Sequence, residues 1–356
     1  MHGKRFEVEK KVTIKDIAER MGTSVATVHR ALYGLDGVSD QLRQQILDEA
    51  QRCNYEPDKA ASMLRRKTLN IAVVLPKPVG NERFYYKGLW EGIYAGAEEL
   101  KKSNVTFDYI QADRGINDLA GALETLFDSV SQKPDGLITL CDDEKAKGWI
   151  KRFIRRGVRV ALVDRGIDIK DLICSVQTSS EDMAMISAEV LKVLIKSEKH
   201  EPVVIVNGPE WRVSYKVYAD KIRELMSSFW PDRKVIFIDG YDENAGIPEL
   251  KEIFATTGCA GIIATCARTT YWVCRELSKL PKEKIPPIVG TDVFEELAPY
   301  FEEGVLKATI YQSHREHGEK AIQYLYDSFS DYSVQREVKI LGRLSIVIKE
   351  SYKYFI

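Results

Sequence analysis

From Leu69 onward, short apolar runs alternate with amphipathic helical stretches, and no other feature constrains the fold as tightly. The runs are Ile71–Leu75, Phe107–Ile110, Leu137–Leu140, Val158–Val163, Val203–Val206, Val235–Ile238, Gly261–Ala264 and Ile288–Gly290. Helical stretches lie between them, among them Tyr86–Lys101, Leu119–Val130, Met183–Ile195, Lys216–Phe229 and Tyr271–Leu280. A nearly continuous apolar strand suits a sheet covered on both faces, and an intervening helix supplies the crossover that parallel pairing needs. So many strands exceed the usual width of one open sheet. The pattern therefore predicts an α/β body of two doubly wound, parallel-sheet lobes.

The first 67 residues read differently. Thr13 can cap a helix, with Asp16 as its capping-box partner, and Ile14, Ile17, Ala18 and Met21 form an apolar stripe. Gly22 breaks that pattern, and Ser24 is a fresh N-cap for a second helix through Leu32. Ser39 opens a third, with Leu42, Ile46, Leu47 and Ala50 on one face. Two helices joined by a tight glycine turn suggest a helix-turn-helix. On the second helix, Val28 and Leu32 lie on one side, and Val25, Ala26, His29 and Arg30 on the other. In a DNA-binding reading that second side enters the major groove. Arg30 can then donate two hydrogen bonds to a guanine edge, while Val25 and Ala26 touch thymine methyls. The same spacing also fits a small helical bundle with a solvated face.

Residues 55–67 form a separate unit. Pro57 suits a first helical position and Ala60–Leu64 favour helix, but so short a segment is marginal in water. It runs into Arg65, Arg66 and Lys67, and reads as a linker that orders when docked. Charge is only mildly polarised. Residues 1–67 hold 13 Lys+Arg against 10 Asp+Glu, while the whole chain holds 52 against 53. That permits a nucleic-acid-binding head without requiring one. No apolar window approaches a membrane span and the start is polar, so a cytoplasmic protein is expected. The six cysteines form no C-x-x-C pair and have no histidine at ligand spacing, which argues for buried thiols and against a zinc site or a disulfide framework.

Motifs for catalysis are missing. The first strand is followed by Pro76-Lys77-Pro78-Val79-Gly80-Asn81, where a dinucleotide fold would carry G-x-G-x-x-G. No P-loop and no G-x-S-x-G elbow occurs. His314 and His317 stand three apart on a helical stretch without a third ligand, and read as a solvated face. The chain is therefore expected to be no enzyme and to carry no cofactor or metal. Ligand sites in open α/β sheets lie beyond the carboxyl ends of strands. The residues there are Phe84, Tyr85, Asp113, Asp164, Arg165, Trp211, Arg268, Asp292 and Gln312. Aromatics that stack on a ring, beside Asp and Arg that grip hydroxyls, suit a sugar or polyol.

These residues resemble the LacI-type (lactose and purine repressor) family of transcription regulators. The match begins with V-T-I-K-D-I-A-E-R-M-G-T-S-V-A-T-V-H-R-A-L at Val12–Leu32. It continues through G-V-S-D-Q-L-R at Gly37–Arg43 and Y-E-P-D-K-A-A-S-M-L-R at Tyr55–Arg65. In the body, V-D-R-G at Val163–Gly166, V-G-T-D at Val289–Asp292 and the region of Gln312 resemble the family's sugar-binding core, which is periplasmic-binding-protein type I-like. The resemblance implies a homodimer whose recognition helices read a pseudo-palindromic double-stranded operator through Val25, Ala26, His29 and Arg30. Thr13, Ser24 and Thr27 join the DNA-facing set, the last two at phosphates. Pro57–Leu64 resembles the hinge helix, with Leu64 as minor-groove wedge and Ala61 and Arg65 beside it. His29 stands where the family commonly has serine. In the body, the family's arginine before Gly-Phe aligns with Tyr218, its Asn-Asp with Cys266-Ala267 and its Asp-Asn with Ser179-Ser180.

The expected organisation is a head at 10–54 and a hinge helix and linker at 55–68. The N-lobe is then 69–164 plus 293–312, and the C-lobe 165–292 plus 313–356. The expected function is sequence-specific DNA binding, as a repressor controlled by a small polar effector between the lobes. The alternative is a cytoplasmic sugar sensor whose head contacts a protein partner.

Overall fold

The computed structural model describes residues 12–32, 37–53, 55, 68–113, 118–129, 133–141, 143–164, 169–196, 201–208, 212–330 and 337–356. The head comprises α1 (Ile14–Arg20), α2 (Val25–Leu32) and α3 (Asp40–Arg52). Their starts follow the sequence. Asp16 Oδ2 accepts from Thr13 N at 2.7 Å, and Thr13 Oγ1 from Asp16 N at 3.4 Å. Ser24 Oγ accepts from Thr27 N at 3.0 Å, and Ser39 Oγ from Leu42 N at 3.4 Å. Each bond satisfies a first-turn amide that the helix itself leaves open. Gly22, at φ 61°, makes the tight turn that lets α2 fold back over α1. Ile17, Ala18, Val28, Ala31, Ile46 and Ala50 close the small core.

The N-lobe begins with β1 (Leu69–Pro76), α4 (Arg83–Glu99), β2 (Val105–Ala112), α5 (Leu119–Ser129), β3 (Gly136–Thr139), α6 (Glu144–Arg155), β4 (Arg159–Val163) and β5 (Cys174–Gln177). The C-lobe follows with α7 (Ser180–Leu194), β6 (Val203–Asn207), α8 (Val213–Phe229), β7 (Val235–Asp239) and α9 (Glu243–Thr256). It continues through β8 (Gly261–Ala264), α10 (Ala267–Leu277), β9 (Ile288–Thr291), α11 (Ala298–Glu302) and β10 (Leu306–Tyr311). The chain then returns to the N-lobe as α12 (His314–Ser330) and β11 (Val338–Leu341), and ends in the C-lobe with β12 (Ser345–Ile348).

The N-lobe sheet runs β11-β5-β4-β3-β1-β2, all parallel. The C-lobe sheet runs β12-β10-β9-β8-β6-β7, parallel except for β12, which pairs antiparallel with β10. Ile71–Leu75 is buried throughout, as a strand with helices on both faces must be. The two doubly wound lobes match the expectation.

The lobe boundaries do not. The sequence places 165–292 in the C-lobe and 293–312 in the N-lobe, which would have the chain leave the sheets after β4 and after β9. Instead each of these strands gains one more parallel neighbour, β5 or β10, before the chain crosses. Residues 293–311 therefore stay in the C-lobe, and α12 and β11 rejoin the N-lobe. The described crossings are short, at 178–179, 312–313 and 342–344. β5, β11 and β12 escape a search for apolar runs because they are four residues long with alternating exposure.

Candidate functional site

In the head, α2 turns Val28 and Ala31 into the core and leaves Ser24, Val25, Ala26, His29 and Arg30 exposed on one side. Thr13 is exposed at the start of α1, and Thr27 is half-buried, its hydroxyl 2.8 Å from that of Ser24. Arg43 of α3 donates to the carbonyl oxygens of Arg30 and Ala31, both at 3.3 Å, which fixes the end of α2. The result is a short rigid helix presenting a cation, an imidazole and small apolar groups on one face, the shape and chemistry that fit a major groove. Ala61, Leu64 and Arg65 lie outside the described residues.

A cleft opens between the two lobes and encloses about 930 Å³, its mouth included. Tyr85, Asp164, Tyr218, Arg268, Asp292 and Gln312, all expected at an effector site, line it together. Asp164 and Asp292 occupy matching places in the two lobes. Each follows the strand that pairs with its lobe's last strand before a crossing. Each has a left-handed backbone, φ 68° and 66°, and each amide donates across the sheet, to Val176 O at 2.8 Å and Ile310 O at 2.9 Å. Left-handed backbone is unfavourable for most side chains and least so for Asp and Asn, so both strand ends favour a short acid. Gln312 Nε2 lies 3.2 Å from both Asp292 oxygens, and His314 Nε2 is 2.9 Å from Oδ1. The Asp292 carboxylate is thereby aimed by residues of the crossing and of α12.

Tyrosines fill much of the remaining wall. Burial pushes the Tyr85 phenol well above its usual range, with the nearby Asp164 carboxylate adding to it. Tyr215 and Tyr218 are raised chiefly by burial as well. All three therefore stay neutral and keep a hydroxyl that can both donate and accept. Gly208, at the end of β6, makes room for Tyr215: a Cβ there would lie 2.5 Å from its ring.

Other expected residues stand elsewhere. Phe84 is buried but not on the cleft wall. Its ring stacks on Phe294 at 4.1 Å and meets Tyr271 at 5.3 Å, joining the lobes. Asp113 is exposed and pairs with Lys77 at 3.2 Å, at the end of β2, the outermost strand of the N-lobe sheet. Arg165 and Trp211 fall outside the described residues. His314 and His317, read as a solvated face, are buried where α12 packs at the crossings, His317 with Nε2 3.5 Å from Thr178 Oγ1. Among the cleft residues that were not anticipated are Glu82, Arg212, Tyr215 and Tyr241. Arg212 and Tyr215 sit at the start of α8, a position that the strand-end rule does not search.

Consecutive residues before and in α4 also clasp the two lobes. Glu82 accepts from Arg268 Nη2 at 2.8 Å, Arg83 Nη2 donates to Glu296 Oε1 at 2.6 Å, and Phe84 makes the aromatic stack.

Two lobes of this topology around a polar cleft define a periplasmic-binding-protein-like body, and residues 71–330 match the periplasmic binding protein domain model. Residues 13–58 match the model for bacterial regulatory proteins of the lacI family. The chain belongs to the LacI family of bacterial transcription regulators.

Relatives bear that out. ExuR of Bacillus subtilis (strain 168), an HTH-type transcriptional repressor by its name, is 24% identical over 249 residues, 68% of this chain and 69% of its own length. Catabolite control protein A of Streptococcus mutans is 25% identical over 199 residues, 56% of this chain and 55% of its own length. The chain thus spans about two thirds of one relative and about half of the other. Among solved structures, the Lac repressor dimer bound to operator and the anti-inducer ONPF shares the fold with a TM-score of 0.60 at 20% identity, over 96% of this chain and 99% of that one. A glucose-galactose binding protein from Geobacillus stearothermophilus has a TM-score of 0.66 at 17% identity, over 80% and 99%.

Proposed function

We propose that this regulator is an operator-binding repressor, acting as a homodimer in the cytoplasm, whose DNA affinity is set by a sugar or polyol held between the lobes. The observation that carries the reading is the pairing, on one chain, of an exposed α2 face with a cleft lined by Asp164, Asp292 and Gln312. Val25, Ala26, His29 and Arg30 read bases, Thr13, Ser24 and Thr27 meet the backbone, and Ala61, Leu64 and Arg65 serve the minor groove. The Lac repressor dimer on its operator and a CelR–cellobiose complex, with a TM-score of 0.60 at 18% identity, support the arrangement by fold.

The cleft residues support hydroxyl recognition. Carboxylates accept from vicinal hydroxyls, Gln312 donates and accepts, and neutral tyrosines do both. Relatives named as regulators are consistent with a binding role and not a catalytic one.

The test is selection of bound duplexes from a randomised pool by the full chain at one fixed salt concentration. The expected result is enrichment of a pseudo-palindrome whose half-sites Arg30→Ala no longer selects. A pool that emerges as random as it entered would refute base reading and favour a protein partner for the head.

A further inference from the structure

The cleft is electrically two-sided, and on that ground we propose that the effector carries a negatively charged group, a carboxylate or a phosphate, in addition to its hydroxyls. This inference rests on the effector-site reading given above.

The C-lobe wall is basic opposite its hinge end. Arg212 and Arg268 both line it, and their guanidiniums lie 5.7 and 4.5 Å from the centroid of the same ring, Tyr241. Arg212 is the N-cap residue of α8 and Arg268 the second residue of α10, so both cations stand at the positive ends of long helices. Both guanidiniums therefore gather about Tyr241 on one stretch of the wall, and their forked donors match a carboxylate or phosphate entering there.

The N-lobe wall is acidic. It brings Glu82 and Asp164, and Glu82 reaches across the cleft mouth to Arg268 at 2.8 Å. A protein carboxylate thus already occupies one of the positions that the ligand's anion would take. An entering anion exchanges with Glu82, so Arg268 is never left buried without a counter-charge, and the exchange releases one strut of the lobe clasp. At the other end Asp292 and Gln312 are suited to hydroxyls and would repel an anion, which fixes the ligand's orientation.

The experiment is calorimetric titration of the full chain, at fixed ionic strength, with matched probes: D-glucose and D-galactose, D-gluconate and D-glucuronate, glucose 6-phosphate and galactose 6-phosphate, and inorganic phosphate. At least one acid or phosphate should bind about tenfold or more tightly than its neutral parent, the scale of one charge-assisted hydrogen bond. The carboxylate and phosphate arms tell which anion the site takes. Arg212→Gln should abolish that preference. Arg212→Lys, which keeps charge and loses the fork, should retain part of it and so separates loss of the site from loss of the fold. Glu82→Gln should shift the preference further toward the anionic probes, raising the ratio of their affinities to those of the neutral parents. Neutral sugars binding as tightly as their acids, with Arg212→Gln without effect, would overturn the inference while leaving the sugar site standing. Silence from every probe, neutral and anionic, would overturn both.

Discussion

At the scale of single residues, the chemistry concentrates at strand ends and helix starts. Asp292 is held by Gln312 and His314, and its left-handed backbone tolerates Asn better than most residues. Asp292→Asn should therefore keep the fold and weaken the effector by about 1–3 kcal/mol, the value of a hydrogen bond to a charged group. Calorimetry reads the affinity and melting temperature reads the fold. In the head, Arg30→Ala should lose about 1–3 kcal/mol of discrimination between operator and scrambled duplex, with little change on random DNA. Anisotropy titrations at one salt concentration measure both.

His317 gives a pH dependence. Burial, with His314 and Lys320 nearby, holds its imidazole down to about 3 from an ordinary 6.5. Besides these two, it faces Thr178 and Gly342 at the crossings. Below pH 6.5 the unfolded chain binds a proton that the folded chain refuses until about pH 3. The contribution is therefore complete above pH 6.5 and declines as pH falls through that window. Melting of wild type and His317→Gln between pH 7.5 and 4.5 should show their stability difference shrinking as pH falls. A constant difference would contradict a neutral buried imidazole.

At the scale of elements, the clasp of Glu82, Arg83 and Phe84 onto Arg268, Glu296 and Phe294 governs how far the lobes part. The Arg83–Glu296 pair is over a third exposed on both sides, so Glu296→Gln should change stability by only about 0–1 kcal/mol. The stack of Phe84 on Phe294 is the stronger tie, since Phe84 is buried. Phe294→Ala should speed amide exchange about tenfold in the cleft-facing segments Thr178–Met183 and Thr265–Arg268, which no substitution touches. Hydrogen-exchange mass spectrometry separates that opening from a local loss at 290–300.

Element types were legible in the sequence wherever local chemistry decides them. Capping pairs such as Thr13 with Asp16, and five-residue apolar strands such as Ile71–Leu75, need no distant partner to be recognised. Asp164, Asp292 and Gln312 were legible because strand ends are where such folds place ligands. Arg212, Tyr215 and Tyr241 were not, because nothing in the sequence marks which side chains at the start of α8 and in the loop after β7 face the cleft. Phe84 was misread for the same reason: an aromatic beyond a strand end can stack on a ligand or on the facing lobe, and only the presence of Phe294 decides. The lobe boundaries failed because a four-residue strand of alternating exposure, such as β5, carries too weak a pattern to show that the sheet continues.

At the scale of the whole molecule, three short crossings tie the two lobes into a hinge, and the reading face of α2 belongs to the same chain. A ligand that favours one lobe angle can shift DNA affinity only by as much as it distinguishes the two arrangements. A homodimer on a pseudo-palindrome doubles the contacts and requires both heads at one spacing. Analytical ultracentrifugation of the full chain should therefore give a dimer at the concentrations where operator binding is half-maximal, and a monomer there would contradict two-half-site reading.

The most direct test of the central claim, that one molecule couples the cleft to the DNA-reading face, is a closed thermodynamic cycle. Operator affinity is measured with and without the saturating cleft ligand, and ligand affinity with and without the operator. The account predicts that both affinities change, and by the same factor, because coupling between two sites is reciprocal. Operator affinity that stays constant as the cleft is filled would contradict it.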